Sequence, residues 1–113
     1  MHELAIVEDV FRILEDLAKE HQLKQIDQVN VEIGTYMQIV PELFESAFEA
    51  VKADTVAASA QLNMHFYSAV LRCHECGHEF EPPEDLPLCP QCNSTDNQII
   101  RGKDIYIKSI EGE

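Results

Sequence analysis

From Leu4 to about Glu20, apolar side chains recur at steps of three and four. One stripe is Leu4, Val7, Phe11, Leu14 and Ala18; a second is Ile6, Val10, Ile13 and Leu17. That period lays both stripes on one helical face, so the spacing predicts a helix here. The face is wider than one sheet contact requires and is expected to touch a second surface as well. Val29, Val31 and Ile33 alternate with Asn30 and Glu32, the pattern of a half-buried strand, which Gly34 is expected to break or bend. Pro41 suits the first position of a second helix, where a missing N–H costs nothing. Leu43, Phe44, Ala47, Phe48 and Val51 supply its apolar face, with Glu42, Glu45 and Glu49 opposite. Ala60 to Val70 alternates again, Leu62, Met64 and Phe66 against Asn63, His65 and Tyr67. A last strand reads from Ile105 and Ile107 against Tyr106, Lys108 and Ile110. The order helix, strand, helix, strand, interruption, strand predicts an α+β fold: two helices packed on a three-stranded mixed sheet.

The interruption, residues 71–103, changes composition abruptly. It holds all four cysteines and four of the five prolines. Its core-forming residues are few: Leu71, Phe80, Leu86, Leu88, Ile99 and Ile100. A segment of about 33 residues with so little to bury needs a staple to fold. The expected organisation is therefore a main α/β domain from residues 1–70 and 104–113, with an inserted β module at 71–103.

The staple is written in the cysteines. Cys73-His-Glu-Cys76 and Cys89-Pro-Gln-Cys92 are two C-x-x-C pairs separated by twelve residues. Each pair forms a knuckle that points two sulfurs at one place. Two facing knuckles give four thiolates in a tetrahedron, a closed ribbon-like site that suits Zn(II). Gly77 follows the first knuckle, where a left-handed residue is useful, and Pro90 stiffens the second. Disulfides and a rubredoxin-like Fe(Cys)4 electron carrier use the same residues, as does a zinc-ribbon protein-interaction module. His74 and His78 flank the first knuckle and read as solvated loop residues. His78, two residues past Cys76, is also the auxiliary donor best placed to replace a thiolate.

Charge narrows the partners. With 21 acidic residues against 8 basic, the formal net charge is −13, which repels phosphate backbones and anionic lipid, so nucleic acid is not an expected partner. No apolar run approaches the ~20 residues of a membrane span. The first residues lack the basic and apolar regions of a signal peptide, so the cytoplasm is the expected compartment. No nucleophile–base pair and no phosphate-binding loop is visible, so the chain does not read as an enzyme.

The opening residues, Met1-His2-Glu3, offer one more chemistry. The Met1 amine, the backbone nitrogen and imidazole of His2, and the backbone nitrogen of Glu3 can close fused chelate rings in a square plane. Square-planar nitrogen donation selects Ni(II) or Cu(II). Three roles are open to the Glu3 carboxylate: an acceptor for a metal ligand's N–H, an axial ligand of the metal, or an acid that favours the start of the helix dipole.

These features together resemble the HypA/HybF family of hydrogenase-maturation proteins, over essentially the whole chain. The residues that carry the resemblance are Met1-His2-Glu3-Leu4, Val31-Glu32-Ile33-Gly34, Pro41-Glu42 with Phe44 and Phe48, the paired knuckles with Cys89-Pro90, and Ile107-Lys108-Ser109-Ile110-Glu111. The resemblance implies a nickel metallochaperone. It implies nickel at Met1, His2 and Glu3, and structural zinc at Cys73, Cys76, Cys89 and Cys92. It also implies delivery of Ni(II) to the large subunit of nickel–iron hydrogenase with a HypB-type GTPase. In some members it extends to urease, and in some to homodimers. Three positions depart from the family pattern. Ala5 replaces a hydroxyl residue, Asp54-Thr55 replaces Gly-Thr after the second helix, and Asn93 replaces the glycine after the last cysteine, where asparagine also tolerates a left-handed turn.

Overall fold

The computed structural model describes residues 3–82 and 88–113. The chain divides into two compact units. One comprises Met1–Glu32, Ile39–His65 and Tyr106–Glu113; the other comprises Ile33–Gln38 and Phe66–Ile105. The expected α+β architecture holds, with two α-helices and two three-stranded sheets among the described residues.

In the first unit, helix α1 spans Glu3–Glu20 and buries Ile6, Val7, Val10, Phe11, Leu14 and Ala18. Leu4 and Ile13, one from each sequence stripe, are each 49% exposed, so the covered face is narrower than the double stripe suggests. Strand β1, Ile26–Gly34, alternates as expected, with Val29 and Val31 fully buried, and it starts earlier, with Ile26 also buried. Helix α2 spans Pro41–Lys52 with Pro41 in its first turn; Phe44 and Phe48 are fully buried. Phe11 of α1 and Phe48 of α2 meet with ring centroids 5.0 Å apart at 39°, a tilted pair that locks the two helices together. Burial of each such side chain contributes about 1.5–3 kcal/mol.

After α2 the chain turns through Asp54 at φ 64°, the left-handed conformation for which glycine is the low-cost residue. The Thr55 hydroxyl donates to the Lys52 carbonyl at 2.6 Å and closes the turn. Strand β2 follows at Gln61–Tyr67, and strand β6 runs Ile105–Gly112; the sheet order is β2-β1-β6. Just beyond β1 and β6, Gln25 and Glu113 exchange both N–H···O bonds, at 3.0 and 3.1 Å, the mark of an antiparallel pair. One face of this sheet carries amides in a chain. Asn63 donates to Gln28 and Asn30, and Asn30 donates to Ser109. Beside them Tyr106 donates to Glu32 at 2.6 Å, and that bond, ahead of Lys108, holds the Glu32 carboxyl below its ordinary pKa.

In the second unit, strand β3 (Val70–Cys73) lies between β4 (Glu79–Phe80) and β5 (Asn97–Arg101), antiparallel to both. The alternation read across Ala60–Val70 is not one strand. The chain leaves the first sheet at Tyr67 and enters the second at Val70. The reason is local: the Ala69 N–H donates to Thr35 Oγ1 at 2.9 Å rather than to a strand, and Gly102 packs directly over Ala69. β1 ends at Gly34, where a break was expected, and the chain continues into a short 3-10 turn, Thr35–Met37.

Candidate metal centre

The second unit owes its shape to two knuckles that repeat the same backbone pattern. The Gly77 N–H donates to the Cys73 carbonyl at 2.9 Å, and the Asn93 N–H to the Cys89 carbonyl at 2.8 Å. Each closing residue lies four positions past its first cysteine and is left-handed, Gly77 at φ 77° and Asn93 at φ 60°. The second contact repeats too: Cys73 N–H to His78 carbonyl at 2.9 Å, and Cys89 N–H to Ser94 carbonyl at 3.0 Å. Asparagine therefore performs at 93 the turn that glycine performs at 77, because its short polar side chain tolerates this backbone region.

The knuckles face each other. All four sulfurs lie within 4.8 Å of one another, with Cys73 and Cys92 at 3.6 Å and Cys76 and Cys89 at 3.5 Å. These separations are far beyond a disulfide's ~2.05 Å, and all four cysteines are free. They surround the ~3.8 Å edge of a tetrahedron whose centre is ~2.3 Å from each sulfur. Two of these cysteines, Cys73 and Cys89, also join Leu71 and Phe80 in a small buried core, with Ile99 packed against it.

The electrostatics show what the cluster needs. The Cys73 thiol is lowered to about 7, first by the N–H of Cys76 and then by that of Glu75. The N–H of Ser94 likewise favours the Cys92 thiolate, but desolvation and the sulfurs of Cys73, Cys76 and Cys89 outweigh it and push Cys92 up to about 12. Cys76 is raised in the same way, against the help of the His78 N–H. The Cys73 thiolate forms readily, and the thiols of Cys76 and Cys92 resist joining it. A cation at the centre offsets the repulsion among thiolates, and four soft sulfurs fit a thiophilic, tetrahedral one.

The two flanking histidines have different surroundings. His74 is more than a solvated loop residue: its Nδ1 meets Asp96 Oδ1 and its Nε2 meets Gln98 Oε1, each at 2.8 Å. Gln98 first, and Asp96 next, raise its pKa. The ring pins the first knuckle to β5. His78 stacks on Phe80, with centroids 6.2 Å apart at 11°. Among the described residues, the ligand atoms that gather at one point are the four cysteine sulfurs.

At the other end of the chain, Met1 and His2 lie outside the described residues. Glu3 opens α1, and its Oε2 accepts the Val40 N–H at 3.1 Å. Sequence spacing gave no signal for that contact, since 37 positions separate the two residues.

Two helices, two small sheets and a knuckle-built four-thiol cluster define a small α+β metal-handling protein. Among the described residues no helix is long and apolar enough to cross a membrane. The chain belongs to the HypA family, whose model, described as hydrogenase/urease nickel incorporation, metallochaperone, matches residues 1–112. The family is one of metallochaperones rather than enzymes. The hydrogenase maturation factor HypA of Aquifex aeolicus is 41% identical over 113 residues, spanning 100% of this chain and 98% of its own. That of Moorella thermoacetica is 36% identical with 100% of both chains covered. The solution structure of the nickel metallochaperone HypA from Helicobacter pylori matches with a TM-score of 0.76 and 32% identity, covering 99% of this chain and 97% of that one.

Proposed function

We propose that this chain is a nickel carrier of hydrogenase maturation. It binds Ni(II) as cargo at Met1, His2 and Glu3 and holds Zn(II) permanently at Cys73, Cys76, Cys89 and Cys92. The observation that carries the reading is the full-length family match to proteins of hydrogenase maturation, joined to a cluster of four cysteine sulfurs gathered at one point. Residues 1–70 with 104–113 form the nickel-binding domain in this reading, and residues 71–103 the zinc module. The partners are a HypB-type GTPase and the large subunit of nickel–iron hydrogenase, with urease maturation proteins and a second copy of the chain as further ones. The compartment is the cytoplasm. His78 supports the zinc module without being one of its four ligands.

The terminal site is tested by calorimetric Ni(II) titration of three proteins: wild type, His2→Ala, and a variant with one extra residue before Met1. The reading predicts that both changes abolish tight binding, because each removes a planar nitrogen donor or its geometry. Three equal titrations would overturn it. The thiol site is tested by metal analysis of purified protein: one zinc per chain and a colourless solution are expected. One iron per chain and a red solution would make it a rubredoxin-like carrier instead.

A further inference from the structure

Helix α2 begins without a cap of its own. Val40 is its N-cap residue, at φ −83° and ψ 116°, and has no side-chain acceptor for the helix. In a capping box, a Glu or Gln three residues on reaches back to the N-cap N–H. Here that position is Leu43, which is apolar and 55% exposed. The Val40 N–H instead donates to Oε2 of Glu3, at the first residue of a different helix. One carboxylate therefore does two things. It is the acid in the first turn of α1, and it completes the cap of α2 in trans. Both roles place a negative charge at a positive helix end.

We infer that the Glu3 carboxylate is a positioning group: it ties the start of α1 to the start of α2 and so holds the backbone nitrogen of Glu3 in place, rather than coordinating the metal. The inference rests on the terminal nickel site proposed above. The backbone nitrogen of Glu3 is one of the four donors assigned there. A side chain anchored to the Val40 N–H fixes the residue whose backbone must enter the metal plane. Holding a donor in its bound position reduces the ordering that binding would otherwise require. Val40 acts here only through its N–H.

That last point supplies the test. Val40 has φ and ψ that proline adopts, and its ψ also suits the residue before Pro41. Val40→Pro therefore removes the donor and leaves Glu3 intact. Ni(II) affinity is measured by calorimetry, and the visible ligand-field bands of the bound ion are recorded, for Glu3→Ala, Glu3→Gln, Val40→Pro and the double variant Glu3→Ala/Val40→Pro. Glu3→Ala and Val40→Pro are each expected to weaken nickel about 5-fold, the factor equivalent to a typical lost cap. The double variant should be no weaker than Glu3→Ala alone, because that change already removes the bond that Val40→Pro removes. Glu3→Gln keeps an oxygen acceptor and should recover most of the affinity. The ligand-field bands should match wild type in all four. A carboxylate that ligates the metal gives the opposite pattern: Val40→Pro binds as wild type, while Glu3→Ala shifts the bands. That result overturns the inference. Amide exchange at Leu43 and Phe44 in metal-free protein separates this failure from that of the terminal site itself. If His2→Ala does not affect nickel binding, faster exchange in Glu3→Ala still establishes the cap in trans, and unchanged exchange removes it.

Discussion

Gly34→Ala sets two physical effects of opposite sign against each other. Gly34 sits at φ −72° and ψ 134°, ordinary extended backbone that alanine adopts without strain. On conformational grounds alone, the substitution restricts the unfolded chain and stabilises by about 0.4–1 kcal/mol. The packing says otherwise. A Cβ at residue 34 would lie 2.1 Å from the Gly102 carbonyl oxygen and 2.2 Å from its carbon. An ordinary C···O approach is about 3.3–3.6 Å, so backbone must move by more than 1 Å. The atoms that would move also hold hydrogen bonds. Tyr36 N–H donates to that same Gly102 oxygen at 3.0 Å, and Gly34 N–H donates to Asp104 at 2.9 Å. Overpacking of about 1–3 kcal/mol plus roughly one lost backbone bond of ~1 kcal/mol gives a destabilisation of about 2–4 kcal/mol, far above the conformational gain. Urea unfolding followed by circular dichroism measures the net change, and amide exchange at Tyr36 localises it. A neutral or stabilising Gly34→Ala would refute the close approach as the reason for glycine here.

Two further predictions concern the thiol cluster. Stripping the bound metal with a chelator at neutral pH should abolish amide protection in β3, β4 and β5, whose core among the described residues is Leu71, Cys73, Phe80 and Cys89 with Ile99, while Phe11, Phe44 and Phe48 keep α1 and α2 protected; structural sites of this kind supply about 10–16 kcal/mol of apparent binding energy. Protection retained throughout the second sheet would show that the module folds without its metal. His74 should titrate above 6.5 in the metal-loaded protein, observed through its ring proton shifts. Because its folded-state pKa is raised, its contacts with Gln98 and Asp96 stabilise fully below the unfolded value and fade as pH rises through the folded one. Asp96→Asn should move the titration back toward 6.5, and an unmoved midpoint would remove the ion pair from the account.

How much of this was legible in the chain depends on how far apart the partners lie. The helices and β1 announce themselves because each buries one face, and a face is a local pattern: Val29 and Val31 on β1, Phe44 and Phe48 on α2. The knuckles are local too, and so are their left-handed closing residues, Gly77 and Asn93. The second sheet is not local. β4 is two residues long, and β5 carries Ile99 and Ile100 side by side, so neither displays an alternation to read. Its order follows from cross-strand partners such as Arg72 with Glu79 and Gln98, which are distant in sequence and become neighbours only in the folded module. The same holds for His74, whose partners Asp96 and Gln98 lie 22 and 24 positions on. Gly34 was visible as a glycine, yet its reason, the backbone of Gly102, was not.

The two metal chemistries proposed for this chain cannot exchange roles, and the reason lies in what each donor set must do with protons. The thiol cluster is built to keep its ion. Backbone N–H groups from Glu75, Cys76, His78 and Ser94 favour thiolates before any metal arrives, and the turns that aim them are fixed by repeated hydrogen bonds. A closed four-sulfur shell leaves no position for an incoming ligand, so a partner protein cannot begin an exchange there. The terminal donor set has the reverse character. Backbone nitrogens bind a metal only after losing protons that they hold tightly in its absence. Returning those protons is a ready route to release, open to any partner that offers the ion a better-formed site. Cargo belongs at such a terminus, and the anchor that keeps the backbone nitrogen of Glu3 in position has to be a group the metal does not take. A Glu3 carboxylate bonded to Val40 meets that requirement, whereas a ligating carboxylate would leave α2 uncapped each time nickel was loaded.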